Sequence, residues 1–169
     1  MKIHETVVNF AAFRNANEFL GIAEITLPEL TNITQEVQGA GIAGKVESPI
    51  PGHFEAMTLS MNFRSVQKGA IELLKMGPHQ IELRAAVQVS NNGSKKNQHV
   101  KHVMQIESKK LSGGKLASMS TEDASGEYSV TYWAKYIDGE KLFEVDVYNY
   151  ICIIDGVDLL ADVRKALGK

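Results

Sequence analysis

The sequence has 169 residues, enough for one domain with a substantial core and too few for two. Its formal net charge of −2, with no Lys/Arg block longer than a pair, argues against a nucleic-acid-binding surface. The longest apolar run, Tyr150–Ile154, is too short to span a bilayer, and the N-terminus lacks the apolar segment of a secretory signal. We therefore expect a soluble protein made inside the cell, with one domain over residues 1–169.

The N-terminal part of the chain contains weak strand signals and one long glycine-rich segment. Apolar residues favour strands over Val7–Phe13 and Phe19–Ile25, and a shorter alternating piece covers Ile33–Val37. Gly39–Gly52 contains four glycines and two prolines. This composition predicts a long loop.

A half-buried strand and a helix are predicted next. Met57–Phe63 alternates large apolar residues with small polar ones, which is typical of a strand with one face in the core. The outward-facing polar residues are Thr58, Ser60 and Asn62. Ser65 is a suitable N-cap for a helix over Val66–Met76, because apolar residues recur there at helical spacing.

Two hairpins follow this helix. The first joins alternating runs over residues 81–89 and 100–106 through a turn that contains Asn92-Gly93. The polar segment Ser108–Gly126 then predicts another long surface loop. The second hairpin turns at Asp138-Gly139, a pair that takes positive φ at both central positions of a two-residue turn.

The register of the second hairpin predicts which of its residues share a face. A two-residue loop at Asp138-Gly139 places Trp133 opposite Glu144 and Thr131 opposite Asp146. One face is then apolar, and the other carries the acidic residues. A slip of one residue would mix the two sets, because side chains alternate across a sheet.

The chain ends in a predicted helix that opens at residues 155–158. Its apolar positions share one face and are Val157, Leu160, Val163 and Leu167. The order of elements is strands, one short helix, four alternating strands and a closing helix. This order predicts an α+β, mainly β fold: an antiparallel β-sandwich or barrel with one short mid-chain helix and a C-terminal helix.

No motif in the sequence supports catalysis or the binding of a cofactor. The segment Gly39–Gly44 matches the G-x-G-x-x-G dinucleotide fingerprint, but prolines follow where that fingerprint requires a helix. The five histidines have no acidic or cysteine partner at metal-ligand spacing. The single cysteine, Cys152, lies among isoleucines and is expected to be a buried, inert thiol. We predict no enzyme activity, no cofactor and no metal site.

Several short motifs occur together in this sequence. Each one alone is a weak family signal, but the ordered set is specific. In the first half they are Leu27-Pro28-Glu29-Leu30, the glycine-rich Gly39–Gly44 and the segment Glu55–Phe63. In the second half they are Tyr132–Ile137 with Asp138-Gly139, Glu144-Val145-Asp146, Asn149, Asp155–Asp158, Leu160, Arg164 and Leu167-Gly168. In this order and spacing they resemble the major tail tube proteins of contractile-tailed phages and of R-type pyocins. The resemblance covers most of the chain.

The resemblance implies a structural subunit that forms hexameric rings stacked into a hollow tube. It implies that sheath protein surrounds the tube, that DNA or tape-measure protein occupies the lumen without specific binding, and that baseplate and terminator proteins meet its ends. The expected location is a virion tail or a bacteriocin particle, assembled in the cytoplasm of the host bacterium. Two alternatives are the inner tube of a type VI secretion-like system and a monomeric β-sandwich binding module.

Two sets of residues are candidate sites. The first is a loop expected to contact a neighbouring subunit through Gly39, Gly41, Gly44, Pro49 and Pro51. The second lines the lumen, where an acidic or small polar wall lets DNA slide. It consists either of Thr58, Ser60 and Asn62 or of Thr131, Glu144 and Asp146. We favour the small polar set, because Trp133 and Leu142 on the acidic face indicate that another element partly covers it.

Overall fold

The structure, a computed structural model, describes residues 1–169 except for the side chains of Ile22 and Ala23. Its strands are β1 (Lys2–Arg14), β2 (Glu18–Phe19), β3 (Ile22–Thr26), β4 (Asn32–Val37), β5 (Val46–Phe54), β6 (Met57–Phe63), β7 (His79–Asn91), β8 (Ser94–Ser112), β9 (Ala124–Ile137), β10 (Glu140–Asp146), β11 (Ile151–Ile154) and β12 (Val157–Asp158). Its helices are α1 (Lys68–Glu72) and α2 (Ala161–Leu167). All the described strand pairs are antiparallel, which confirms the predicted mainly β fold class.

Strand β9 organises the main sheet, because three other strands pair with it. One side of β9 pairs with β8 from Ser125 to Ile137. The other side pairs with β6 over residues 124–130 and with β10 over residues 132–137. The sheet therefore divides at the middle of β9. One branch continues to β6 and β3, and the other continues to β10, β11 and β12.

The core lies between these branches and the β7–β1 side of the sheet. Strand β6 buries all four of its apolar residues, as its alternation predicts: Met57, Leu59, Met61 and Phe63. Helix α1 and the turn after it add Ala70 and Leu73 to the same cluster, and Cys152 and Leu160 close it from the C-terminal side. Each large side chain that is fully buried in this way stabilises the fold by roughly 1.5–3 kcal/mol.

The prediction of a loop over Gly39–Gly52 is wrong for the second half of that segment. Val46–Phe54 forms β5, which pairs with β4, so only residues 38–45 connect the two strands. Prolines normally disfavour strands, but Pro49 and Pro51 are tolerated because β5 is an edge strand. The loop predicted over Ser108–Gly126 is likewise shorter, since β8 runs to Ser112 and β9 begins at Ala124.

Both predicted helices are shorter than their apolar patterns indicated. Helix α1 begins at Lys68, with Gln67 instead of Ser65 at the N-cap position. The backbone N–H of Val66 donates to the Glu122 carboxylate (2.9 Å), which holds this segment against the loop before β9. At the C-terminus, residues 155–156 are the turn of the β11–β12 hairpin, and the helix starts only at Ala161.

The predicted register of the β9–β10 hairpin holds for the two pairs next to the turn and is wrong beyond them. A bulge between Lys141 and Phe143 makes Leu142 an extra residue. Glu144 therefore pairs with Ala134, and Asp146 pairs with Tyr132. A bulge inserts one residue into one strand only, so it exchanges the faces of every residue that follows.

Candidate assembly interfaces

Strands β4 and β5 form a two-stranded sheet of their own, separate from the main sheet. All of β4 and the first six residues of β5 are exposed. This β4–β5 hairpin and its connection carry five large apolar side chains that are between 37% and 54% exposed: Ile33, Val37, Ile42, Val46 and Ile50. Apolar side chains clustered on an exposed element mark a surface that another molecule covers.

The five residues predicted for inter-subunit contact all lie on the β4–β5 hairpin. Gly39, Gly41 and Gly44 are in its connection, and Pro49 and Pro51 are in β5. A Cβ added at any of the three glycines would meet no atom within 4 Å. Gly41, with a φ of 90°, is therefore required for its backbone conformation and not for close packing within its own subunit.

The base of the β4–β5 hairpin is fixed to the C-terminal part of the main sheet. The Glu55 N–H donates to the Thr31 carbonyl oxygen (2.8 Å). At Gly52, where φ is 71°, a Cβ would lie 2.6 Å from Cγ of Leu160. The base of the hairpin is thus packed against Leu160, and the rest of the hairpin is exposed.

The small polar set lies on the outward face of a four-stranded part of the sheet, formed by β3, β6, β9 and the C-terminal half of β8. Thr58, Ser60 and Asn62 stand opposite Ser129, Glu127 and Ser125 of β9. The Lys109 ammonium group donates to Oγ1 of Thr58 (3.3 Å) across this face. The face is polar along its length, while the opposite face is the core.

The residues of β9 that complete this face were not among the predicted site residues. Ser125, Glu127 and Ser129 alternate with buried residues, which is the pattern of a half-buried strand. The first part of that pattern fell inside the predicted loop over Ser108–Gly126. The alternation from Ala124 to Val130 was the signal that could have located them.

The acidic set is held by local contacts and is not aligned as predicted. The Tyr132 hydroxyl donates to Glu144 Oε1 (2.8 Å), and the Lys141 ammonium group donates to Oε2 (2.7 Å). The hydrogen bond from Lys141, and then that from Tyr132, lowers the pKa of Glu144. Asp146 Oδ1 accepts the N–H groups of Tyr148 (3.1 Å) and Asn149 (3.0 Å). These carboxylates stabilise a hairpin and a turn.

Thr131 is separated from the two carboxylates of the acidic set by the bulged register. It lies where β9 shifts against β8, between the pairs Tyr132–Gln105 and Val130–Ile106. Its carbonyl oxygen accepts the N–H of Val147 (3.1 Å). The structure therefore does not bring Thr131, Glu144 and Asp146 together as the predicted register had them.

A largely apolar groove of about 460 Å³ opens between β1, β3 and the β7–β8 hairpin. Among its described lining residues, His102 contributes an imidazole ring and Lys135 an ammonium group. The indole N–H of Trp133 donates to His102 Nδ1 (3.1 Å). Burial, and then the charge of Lys135, lowers the pKa of His102 to about 4. His102 is therefore neutral near pH 7.

In the described part of the chain, no group of three or more His, Cys, Asp or Glu side chains is arranged to hold a metal ion. Among the described helices, none is long and apolar enough to cross a membrane.

A mainly β chain with one polar sheet face and a projecting apolar hairpin has the features of a structural assembly subunit. The chain belongs to the family of phage tail tube protein FII, which matches residues 4–168. It is 27% identical over 161 residues to the tail tube protein of Escherichia phage P2, with 92% of each chain covered. The predicted resemblance to phage major tail tube proteins is thereby confirmed.

Solved structures show a similar fold at low sequence identity. The sheath/tube terminator of an extracellular contractile injection system, PVC, in its extended state, superposes with a TM-score of 0.56. It is 10% identical, and the match covers 79% of this chain and 97% of that one. A chain of the PVC sheath-tube complex, also in the extended state, gives a TM-score of 0.48 at 12% identity, covering 78% and 88%.

Proposed function

We propose that this tail tube protein forms hexameric rings that stack into the inner tube of a contractile tail, with residues 1–169 acting as one domain. The observation that carries the proposal is the β4–β5 hairpin, an exposed element with apolar side chains and few contacts of its own. The relationship to a phage tail tube protein supports it. Stacked rings supply neighbours that would bury such a hairpin.

The β4–β5 hairpin contacts a neighbouring subunit in this proposal. Its exposed apolar residues enter the contact, and the tip glycines Gly39, Gly41 and Gly44 let the backbone approach closely. Pro49 and Pro51 lack the N–H groups that would pair β5 with an unrelated strand. The hairpin is thus suited to one specific contact instead of open-ended β-aggregation.

The lumen is lined by Thr58, Ser60 and Asn62. The acidic set is the weaker candidate, because Glu144 and Asp146 are already engaged by Lys141, Tyr132 and the 147–149 turn. Glu127 and Glu107 add two negative charges to the polar face, and Lys109 and Lys110 offset them with two positive charges. A nearly neutral polar wall lets DNA slide, because it binds few phosphates.

The proposed partners follow from the position of a tube in a tail. Sheath protein surrounds it, tape-measure protein and then DNA occupy its lumen without specific binding, and baseplate and terminator proteins cap its ends. Assembly takes place in the cytoplasm of the host bacterium, and the product is a phage tail or a DNA-free tailocin. Solved relatives of the fold come from a sheath-tube complex and a sheath/tube terminator.

Electron microscopy of the purified protein tests tube formation, and a deletion tests the β4–β5 hairpin. Removing residues 40–45 leaves Gln38-Gly39 as a two-residue connection between the paired residues Val37 and Val46. We expect the shortened protein to keep its circular dichroism spectrum and to form no tubes. Met76→Ser, which changes another exposed apolar side chain, is the control and should assemble. Normal yields of tubes from the deletion variant would contradict the proposed contact.

Thiol labelling of introduced cysteines distinguishes the two sets of lumen candidates. The native Cys152 does not interfere, because it is buried. Ser60→Cys should react with a bulky polymer maleimide in the dissociated subunit and resist it inside assembled tubes. Glu140→Cys, at an exposed turn, should react in both states. If Thr131→Cys is protected in tubes and Ser60→Cys is not, the acidic set faces the lumen instead.

A further inference from the structure

The apolar groove between β1, β3 and the β7–β8 hairpin has the size and composition of a small-molecule site. Its volume of about 460 Å³ lies within the usual range of ligand pockets, roughly 300–1,000 Å³. Eight of its ten described lining residues are apolar, and the other two are His102 and Lys135. Ligand pockets commonly combine apolar walls with a few polar groups that orient the ligand.

The sheet register places the two polar residues side by side at one end of the groove. Leu83 of β7 stands opposite His102 of β8, and His102 stands opposite Lys135 of β9. Residues opposite each other on antiparallel strands share a face, with Cβ atoms about 4.5–5.5 Å apart. Leu83 and His102 are only 5% and 6% exposed, and Lys135 is half-buried. This row is therefore the closed end of the groove.

The other end of the groove is apolar and open. Val87 lies on β7 four residues beyond Leu83, which corresponds to about 13 Å along the strand. It stands opposite Val7 of β1, which is 57% exposed. The groove thus leads from a polar end inside the protein to an apolar mouth at the surface.

Both polar groups at the closed end are donors for which the described part of the chain supplies no acceptor. The indole N–H of Trp133 donates to His102 Nδ1 (3.1 Å), so the neutral ring carries its proton on Nε2. None of the described hydrogen bonds has this Nε2–H as its donor. Among the described ion pairs, no carboxylate lies within 4.0 Å of the Lys135 ammonium group. A charged group in apolar surroundings is costly unless it is paired.

We propose that this groove binds a small amphipathic carboxylate, with the carboxylate group at His102 and Lys135 and the apolar chain directed toward Val7 and Val87. A carboxylate accepts hydrogen bonds from both donors and neutralises the ammonium group. An uncharged apolar molecule would leave the ammonium group without a counterion. The inference does not rest on the proposed ring assembly, because none of these residues belongs to the β4–β5 hairpin or to the proposed lumen set.

Decanoate is a suitable probe, because its extended chain is comparable in length to the groove. It is titrated near pH 7, below its micelle-forming concentration, into the full-length protein diluted until light scattering shows free subunits. Isothermal calorimetry should show saturable binding of one decanoate per subunit. The fluorescence of the single tryptophan, Trp133, should change in parallel, because its indole contacts His102. Decanol should bind at least about tenfold more weakly, because its hydroxyl group carries no charge.

Three variants locate the binding. Lys135→Met keeps an apolar stem and removes the ammonium group, so it should weaken decanoate binding at least about tenfold and change decanol binding little. Ala85→Leu narrows the groove between Phe10 and Val100 and should weaken the binding of both molecules. Lys75→Met is the control, because it removes an exposed lysine that also lacks a described ion pair. It should bind decanoate like the unmodified protein.

Three results would overturn the proposed ligand site: no saturable binding of decanoate, equal affinity for decanoate and decanol, or unchanged decanoate affinity in Lys135→Met. A Trp133 signal that responds to tube formation but not to decanoate would overturn it too, and would show that another copy of the chain covers the groove. None of these results bears on whether the protein forms tubes, which electron microscopy tests separately.

Discussion

At the scale of single residues, the pair formed by Trp133 and His102 makes the stability of the folded protein depend on pH. Because His102 Nδ1 accepts the indole N–H, the neutral ring carries its proton on Nε2. The ring is also packed against Trp133, with centroids 5.9 Å apart. A second proton would have to displace the indole N–H and place a positive charge in a mostly apolar groove beside Lys135.

This pair predicts acid sensitivity. The folded His102 has a pKa of about 4, against 6.5 for the ordinary side chain, so the unfolded chain binds more protons between these pH values. Stability should therefore be full above pH 6.5 and fall by up to about 3 kcal/mol as the pH drops to about 4. His102→Gln keeps an acceptor for Trp133 but does not titrate, so its stability should depend less on pH. Urea unfolding across this pH range, carried out on the subunit that lacks residues 40–45, measures the stability with His102 and with His102→Gln. If stability changes equally with pH in the two proteins, the prediction is wrong.

Gly126 shows why one small residue is required in β9. A Cβ at Gly126 would clash with the Tyr128 hydroxyl and lie 2.7 Å from Cε2 of its ring. Tyr128 is buried, and burial raises its pKa to about 12, so the hydroxyl stays neutral. The ring belongs to the core cluster and is surrounded by buried side chains.

We expect Gly126→Ala to lower the free energy of unfolding by about 1–3 kcal/mol, because the ring and the added methyl group cannot both fit. Ser125→Ala, on the outward polar face, should change it by less than about 0.5 kcal/mol. Chemical denaturation of both variants measures the difference. A Gly126→Ala protein as stable as the control would show that the core can repack around Tyr128.

At the scale of elements, the C-terminal helix shows how a short helix is held without a buried side chain of its own. Helix α2 has seven residues, none of them buried. Arg164 donates to the carbonyl oxygen of Tyr150 (2.7 Å) and forms an ion pair with Asp158. The same ion pair lowers the pKa of Asp158. One guanidinium group therefore joins helix α2 to the residue before β11 and to β12, and Val163 of the helix packs against the core cluster.

Arg164→Ala should release α2 without unfolding the core. We expect faster amide hydrogen exchange over residues 158–168 and unchanged exchange in β6 and β9. Lys165→Ala, next to it on the exposed side, is the control. Equal protection of α2 in both variants would mean that Val163 and Leu160 hold the helix without Arg164.

At the scale of the whole molecule, one core cluster joins strands from both halves of the chain. Residues of β1, β6, β7, β8, β9 and β10 share that cluster. The described part of the β4–β5 hairpin adds no fully buried residue to it, and Phe54 at the end of β5 packs against it. Because no part of the cluster can form without strands distant in sequence, the main sheet should unfold as one unit.

Thermal unfolding of the subunit that lacks residues 40–45 should accordingly show one cooperative transition. Circular dichroism reports all the strands, and the fluorescence of the single tryptophan, Trp133, reports the core beside β8 and β10. The two signals should give the same midpoint temperature. Two separated midpoints would show that residues 1–169 contain more than one folding unit.

The sequence alone determined the elements whose signals are local. The strand Met57–Phe63 was predicted with its observed bounds, because the alternation that identifies it lies within the strand itself. The turns at Asn92-Gly93 and Asp138-Gly139 were also predicted correctly, because these residue types readily adopt positive φ. The tertiary structure decided the rest. The bulge at Leu142 moved Glu144 and Asp146 to a different face, and pairing with β4 made a strand of the proline-containing β5. The polar face shared by β3, β6, β9 and β8 became visible only when these strands lay side by side, because pairing between strands depends on contacts that no local pattern encodes.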